Sequence, residues 1–140
     1  MMSFVDGGYS VVDSAQASPE AISEALYSVG HWLISMERFE DGKHLFRSML
    51  RTSPADERPW IALAICHERT SEIEKADRIL RLSAQACPRS ARVHLARARL
   101  FRTRDLREDS ERSFELAFRA ADAANDDELA MAIEAERGSE

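Results

Sequence analysis

Cysteine, glycine, proline and aromatic residues are all sparse in this 140-residue chain, and each scarcity narrows what it can be. There are two cysteines, Cys66 and Cys87, with no CxxC spacing, so a disulfide framework or a thiolate metal site is not indicated and both read as reduced, half-buried thiols. No apolar run approaches the roughly 18–20 residues of a membrane span; the longest, Trp60 to Cys66, has seven. The start, MMSFVDGGYSVVDSAQ, lacks the basic beginning and long apolar centre of a secretory signal, so a cytoplasmic protein is expected. There is no glycine-rich phosphate loop, no HExxH and no GxSxG elbow. The four histidines, His31, His44, His67 and His94, have no paired metal spacing and read as packing or surface residues. Neither enzyme, cofactor nor metal site is indicated. A net charge of −6 argues against generic nucleic-acid binding.

What is present is helical text. Ala, Leu, Glu and Arg dominate, all strong helix formers, and 44% hydrophobic with 31% charged residues is a foldable, soluble composition. Residues 1–17 contain Gly7-Gly8 and no helical period, and read as a loose arm with two short apolar pieces, Phe4-Val5 and Tyr9 to Val12. Ser18-Pro19-Glu20 then reads as a helix start, with a capping serine, proline at the first helical position and an acid at the positive dipole end.

From there the sequence repeats. The prolines of Ser53-Pro54 and Cys87-Pro88 lie 34 residues apart. Units begin at Ser23, Glu57 and Ala91, so the expected repeats are 23–56, 57–90 and 91–124, followed by a capping helix over about 125–137, all in one domain of residues 18–140. Small residues recur at positions 8 and 20 of each unit: Gly30 and Gly42, Ala64 and Ala76, Ala98 and Ser110. Large residues recur at 4, 7, 11 and 24, as in Leu26, Val29, Leu33 and Phe46 of the first unit. Small residues let two antiparallel helices approach closely, large ones fill the flanks, and proline at 32 stops the second helix. This pattern identifies the chain as a tetratricopeptide-repeat (TPR) protein. The resemblance implies an all-α fold, an α-α superhelix of three helical hairpins plus the C-terminal cap. Ser71 to Glu74 and Asp105 to Glu108 read as capping boxes opening second helices, and Asn125 to Glu128 as the opening of the last helix.

A narrower resemblance follows from Leu26 to Gly30, Phe39 to Gly42, His44 to Arg47 and the run Arg58 to Cys66. These segments resemble the class II chaperones of type III secretion, which hold translocator subunits, over roughly residues 20–86. The N-terminal helical region that this family uses for dimer contacts is shorter here or absent, and the third unit is Arg-rich and diverges. The resemblance implies a non-catalytic cytoplasmic chaperone for a secreted client, held as an extended segment with anchors in the groove, and a homodimer or small heteromer as its assembly.

In such an array the first helix of each unit lines the concave face, through positions 2, 5, 9, 12 and 13. The candidate peptide-binding residues are therefore Tyr27, His31 and Ile34, then Ile61, Ile65, Glu68 and Arg69, then Leu95, Arg99 and Arg102. The apolar members are expected to take client side chains, and the arginines backbone carbonyls or acids. Against this, Ile61, Ile65 and Leu95 have a packing role open to them, and the stretch Arg89 to Arg112, with eight arginines against four acids, reads equally as a solvated face. The carboxylate clamp of heat-shock co-chaperones is excluded, because it needs Lys and Asn where Tyr27 and His31 stand and Asn where Ala62 stands. Two alternatives remain: a co-chaperone or assembly scaffold for needle subunits or another complex, and, less favoured, a nucleic-acid-linked regulator using the third unit.

Overall fold

A computed structural model describes residues 17–139. The expected arm falls almost wholly outside them. Seven helices follow in order among the described residues: α1 (Pro19–Ser35), α2 (Phe39–Thr52), α3 (Glu57–Arg69), α4 (Ile73–Ala86), α5 (Ala91–Thr103), α6 (Arg107–Ala123) and α7 (Asp127–Arg137). None is long and apolar enough to cross a membrane. Each packs on the next in sequence, and in addition α1 touches α3 and α3 touches α5. The second helices, α2, α4 and α6, are not paired in this way, which puts the first helices on the inner side of the stack.

Local chemistry explains where the helices begin and end. Ser18 Oγ accepts from Ala21 N–H at 3.1 Å and Pro19 occupies the first turn of α1. Asp56 caps α3, Ser90 caps α5 and Asp126 caps α7, each accepting a first-turn N–H through its side chain. The hairpin turns repeat with the sequence period. Glu37, Ser71 and Asp105, spaced by 34, have φ of 58°, 64° and 59°. Around the first, Arg38 N–H bonds to Leu33 C=O at 2.8 Å and Glu37 N–H to Ile34 C=O at 2.9 Å, a Schellman turn. The same pair of bonds recurs after α3, α5 and α6.

These turns correct the expected capping boxes. Ser71 and Asp105 close the preceding helices in the left-handed region and do not open the following ones. The N-cap residues of α4 and α6 are Glu72 and Leu106, and neither makes a side-chain cap bond.

Three apolar clusters run along the stack. The first joins Phe46 and Met49 of α2 to Ala62, Leu63 and Cys66 of α3, with Tyr27 and Ile34 of α1 against it. The second joins α3, α4 and α5 through Ala64, Ala76, Leu80 and Leu100. The third joins α5, α6 and α7 through Leu95, Ala98, Phe114, Ala117, Ala130 and Ile133. Close approach at the small-residue positions is real: a Cβ placed on Gly30 would lie within 2.5 Å of Cε1 of the Phe46 ring. Cys66 and Cys87 are buried and unpaired.

One polar network, centred on the buried Lys43 and His67, joins the first two units. Lys43, 3% exposed, donates to Glu40 at 2.7 Å and to Glu72 at 2.8 Å. His67 Nδ1 lies 2.8 Å from the same Glu72 oxygen. Hydrogen bonds from Lys43, His67 and Lys75 hold the Glu72 carboxyl well below the usual carboxylate range. Burial opposes the charge on Lys43, but the bonds to Glu40 and Glu72 outweigh it and raise its pKa.

Candidate functional site

The inner sides of α1, α3, α5 and α7 surround a hollow of about 320 Å³. Its apolar lining comes from Tyr27, Ile61, Leu95, Ala96, Leu129 and Ala132, one or two residues from each helix. Charged groups at the hollow are Glu57, Arg58, Arg92, Arg99 and Glu136. The rule that one helix face repeats every three to four residues explains the placement: Arg92, Leu95, Ala96 and Arg99 are consecutive inward positions on α5. A depression of this size with an apolar lining suits one or two side chains of a bound chain.

Its charges are paired within the protein. Arg58 Nη1 donates to both oxygens of Glu24 at 3.0 and 2.8 Å, and its guanidinium lies 4.7 Å from the centre of the Tyr27 ring. Such a cation over the ring face holds Tyr27 in place. Glu57 accepts from Ser90 and lies 3.8 Å from Arg92. Arg99 makes a two-pronged contact with Glu136, at 2.6 and 2.8 Å, which holds the Glu136 carboxyl below its ordinary pKa.

Of the ten residues read from the sequence, Tyr27, Ile61, Leu95 and Arg99 are brought together at this hollow. Tyr27 and Ile61 are half-buried, while Leu95 is 7% exposed and belongs also to the third core cluster. His31 is exposed on the next turn from Tyr27, with ring centres 6.3 Å apart. Ile34 packs against the first core cluster. Ile65 is exposed, Glu68 is half-buried, and Arg69 lies over the Phe39 ring at 5.0 Å. Arg102 sits over Phe114 at 4.6 Å and donates to the carbonyls of Glu136 and Arg137 at 3.1 and 3.2 Å. The groups expected to meet a client through Arg99 and Arg102 are thus occupied by the chain's own α7.

The contribution of α7 to the inner wall was missed by the sequence reading, which assigned that helix only to covering the end of the third unit. Ile133 and Ala130 do cover it, but Leu129, Ala132 and Glu136 face the hollow. The signal was available. Carrying the 34-residue frame one further period starts a unit at Asn125, which puts Leu129 at position 5 and Glu136 at position 12, both inward positions.

Comparison with known proteins agrees with this geometry. Residues 33–100 match the family model for the tetratricopeptide repeat. No curated protein matches the sequence significantly. Among solved structures, the type III secretion translocator chaperone SycD of Yersinia enterocolitica superposes with a TM-score of 0.73 at 17% identity, covering 84% of this chain and 89% of SycD. PcrH from Pseudomonas aeruginosa superposes with a TM-score of 0.70 at 20% identity, covering 85% and 91%. PcrH in complex with the chaperone-binding region of PopD gives 0.69 at 20% identity, covering 86% and 91%. Residues 33–100 thus match the tetratricopeptide-repeat model, and the described chain shares the all-α fold of SycD and PcrH.

Proposed function

We propose that this protein is a non-catalytic, cytoplasmic chaperone of type III secretion that holds an extended segment of a translocator-type client in its concave groove. The observation that carries the reading is the hollow of about 320 Å³ whose apolar lining is drawn from all four inner helices. A surface assembled from four separate helices is rigid and concave, and it receives side chains of an extended guest without refolding. The fold supports the same reading, because SycD has been solved with a peptide of the translocator YopD and PcrH with the chaperone-binding regions of PopD and PopB. Tyr27, Ile61 and Leu95 contact the anchors, and each apolar anchor contributes about 1.5–3 kcal/mol. Arg92 at the rim, exposed and held only by a 3.8 Å contact with Glu57, meets client carbonyls or acids.

The test is co-expression with the translocator product of a neighbouring gene. The wild-type chain is expected to keep the client soluble in a stable complex. Ile61→Glu, and Tyr27→Asp with it, is expected to weaken that complex by at least about tenfold while the chain keeps its helicity. A client that remains insoluble beside the wild-type chain refutes the reading. A complex that survives both substitutions assigns binding to the outer face, as for a co-chaperone or scaffold of needle subunits.

A further inference from the structure

The two ends of the stack are finished differently. At the C-terminal end α7 covers the third unit. At the N-terminal end α1 presents a bare apolar stripe: Ile22, Leu26, Val29, Trp32 and Met36 are 46%, 38%, 49%, 50% and 56% exposed. At about 100° per residue these five occupy roughly one third of the helix circumference. They are half of the large hydrophobic residues exposed among the described residues, gathered on a single helix.

The repeat itself says what is missing. One period on, the counterparts of Val29 and Trp32 are Leu63 and Cys66, which are 1% and 0% exposed because α2, the helix before α3 in the chain, packs there. Two periods on, the counterpart of Trp32 is Leu100, 3% exposed under α4, the helix before α5. In both cases the covering element is the segment immediately upstream, joined by four residues: 53–56 and 87–90. Upstream of α1 stand residues 1–18. A link of six residues, 13–18, against four in the repeats, leaves Val12, Val11 and Tyr9 to begin the return, with Phe4-Val5 beyond Gly7-Gly8. The lengths agree. From Val12 to Val5 an extended chain spans about 23 Å, and from Ile22 to Met36 a helix spans about 21 Å.

We propose that residues 4–12 fold back along α1 and cover the Ile22–Met36 stripe in cis, taking the place that α2 and α4 take on the following units. This site lies on the outer end of the stack and is separate from the concave groove.

Trp32 reports on it. In the full chain with Trp60→Phe, Trp32 is the sole tryptophan, and its acrylamide quenching is to be compared with that of the same chain also carrying Phe4→Asp and Val12→Asp. Quenching is expected to be at least about twofold weaker with the native arm, since covering a half-exposed indole removes most of its contact with solvent. The protection is expected to be independent of protein concentration. Oxidation of Met36 by hydrogen peroxide, followed by mass spectrometry with both tryptophans intact, gives a second reading and is expected to be slower in the native chain by a similar factor. Equal quenching and equal Met36 oxidation with and without the arm substitutions overturn the proposal. Protection that disappears on dilution, together with a dimer mass, overturns it in favour of a second copy.

Discussion

Gly30→Ala is the substitution that most directly tests how the first hairpin is built. The added methyl would fall within 2.5 Å of Cε1 of Phe46 and 3.3 Å from Cδ2 of Leu45. Carbon atoms in contact normally stand about 3.5–4 Å apart, so the ring or the helix must retreat by about 1 Å. Phe46 has no free side to retreat to: it is fully buried, with the Tyr27 ring 6.2 Å away and Met49, Leu63 and Cys66 in the same cluster. Overpacking of this kind costs about 1–3 kcal/mol. Alanine returns about 1 kcal/mol through its better helix propensity. The clash is large and the ring enclosed, so the cost falls at the upper end and the net loss is about 1–2 kcal/mol. Urea denaturation followed by circular dichroism measures it. Two companions sharpen the result. Gly42→Ala places its methyl 3.1 Å from Cys66 Sγ, a milder contact, and is expected to destabilise less. Gly30→Ala combined with Phe46→Leu is expected to cost less than the sum of the two single changes, because the smaller side chain makes room. A Gly30→Ala protein as stable as wild type, or more stable, would refute this account of helix contact.

The left-handed turn residues Glu37 and Ser71 lack the freedom of glycine at φ of 58° and 64°, so Glu37→Gly or Ser71→Gly is expected to raise stability by about 0.5–1 kcal/mol, read as a shifted urea midpoint. Glu72 has its pKa lowered in the folded state by Lys43, His67 and Lys75; its contribution is therefore full above the ordinary carboxylate pKa of about 4.3 and lost as pH falls through the folded value. Glu72→Gln is accordingly expected to flatten the acid limb of a stability–pH profile, whereas Glu40→Gln, on a carboxylate 75% exposed, is expected to change it little. For α7, Ile133→Ala removes a fully buried side chain and is expected to cost about 2–4 kcal/mol. Arg99→Ala breaks a pair whose partners are 57% and 30% exposed and is expected to cost at most about 1 kcal/mol. Limited proteolysis of the C-terminus ranks the two, and a larger effect of Arg99→Ala would mean that charge, not burial, holds the last helix.

How much of this was legible in the sequence depended on how local each determinant is. The 34-residue spacing of Pro54 and Pro88 is a property of the chain alone, and it places the first helices and their inward residues Tyr27, Ile61, Leu95 and Arg99. The capping boxes failed for a physical reason. Between α3 and α4 there are three residues, Thr70, Ser71 and Glu72, and the Schellman turn that ends α3 uses all of them. A serine placed in the left-handed region by that turn is not free to cap the following helix, although the local text is the same. The role of Arg99 and Arg102 was hidden because their partners, Glu136 and the carbonyls of Glu136 and Arg137, lie 34 to 37 residues away on a helix whose register depends on how Ile133 packs.

That packing bears on how far the groove extends. An array of three hairpins offers three inner helices, and a client would meet the third unit through Arg99 and Arg102. In this chain α7 takes the position of a fourth inner helix, neutralises Arg99 with Glu136 and closes the hollow with Leu129 and Ala132. The rim arginines that α7 does not engage lie on α3 and α5: Arg58, bonded to Glu24, and Arg92, 3.8 Å from Glu57, beside an apolar lining that includes Tyr27, Ile61 and Leu95. On the proposed reading, anchors of a bound segment are expected over the first two units and the junction with the third. Leu129→Glu alters the α7 side of the same hollow, and it is expected to weaken client binding less than Ile61→Glu, measured as the fraction of client that stays soluble. An equal loss from both would place the anchor against α7 instead, and the client would then have to compete with the helix that finishes the fold.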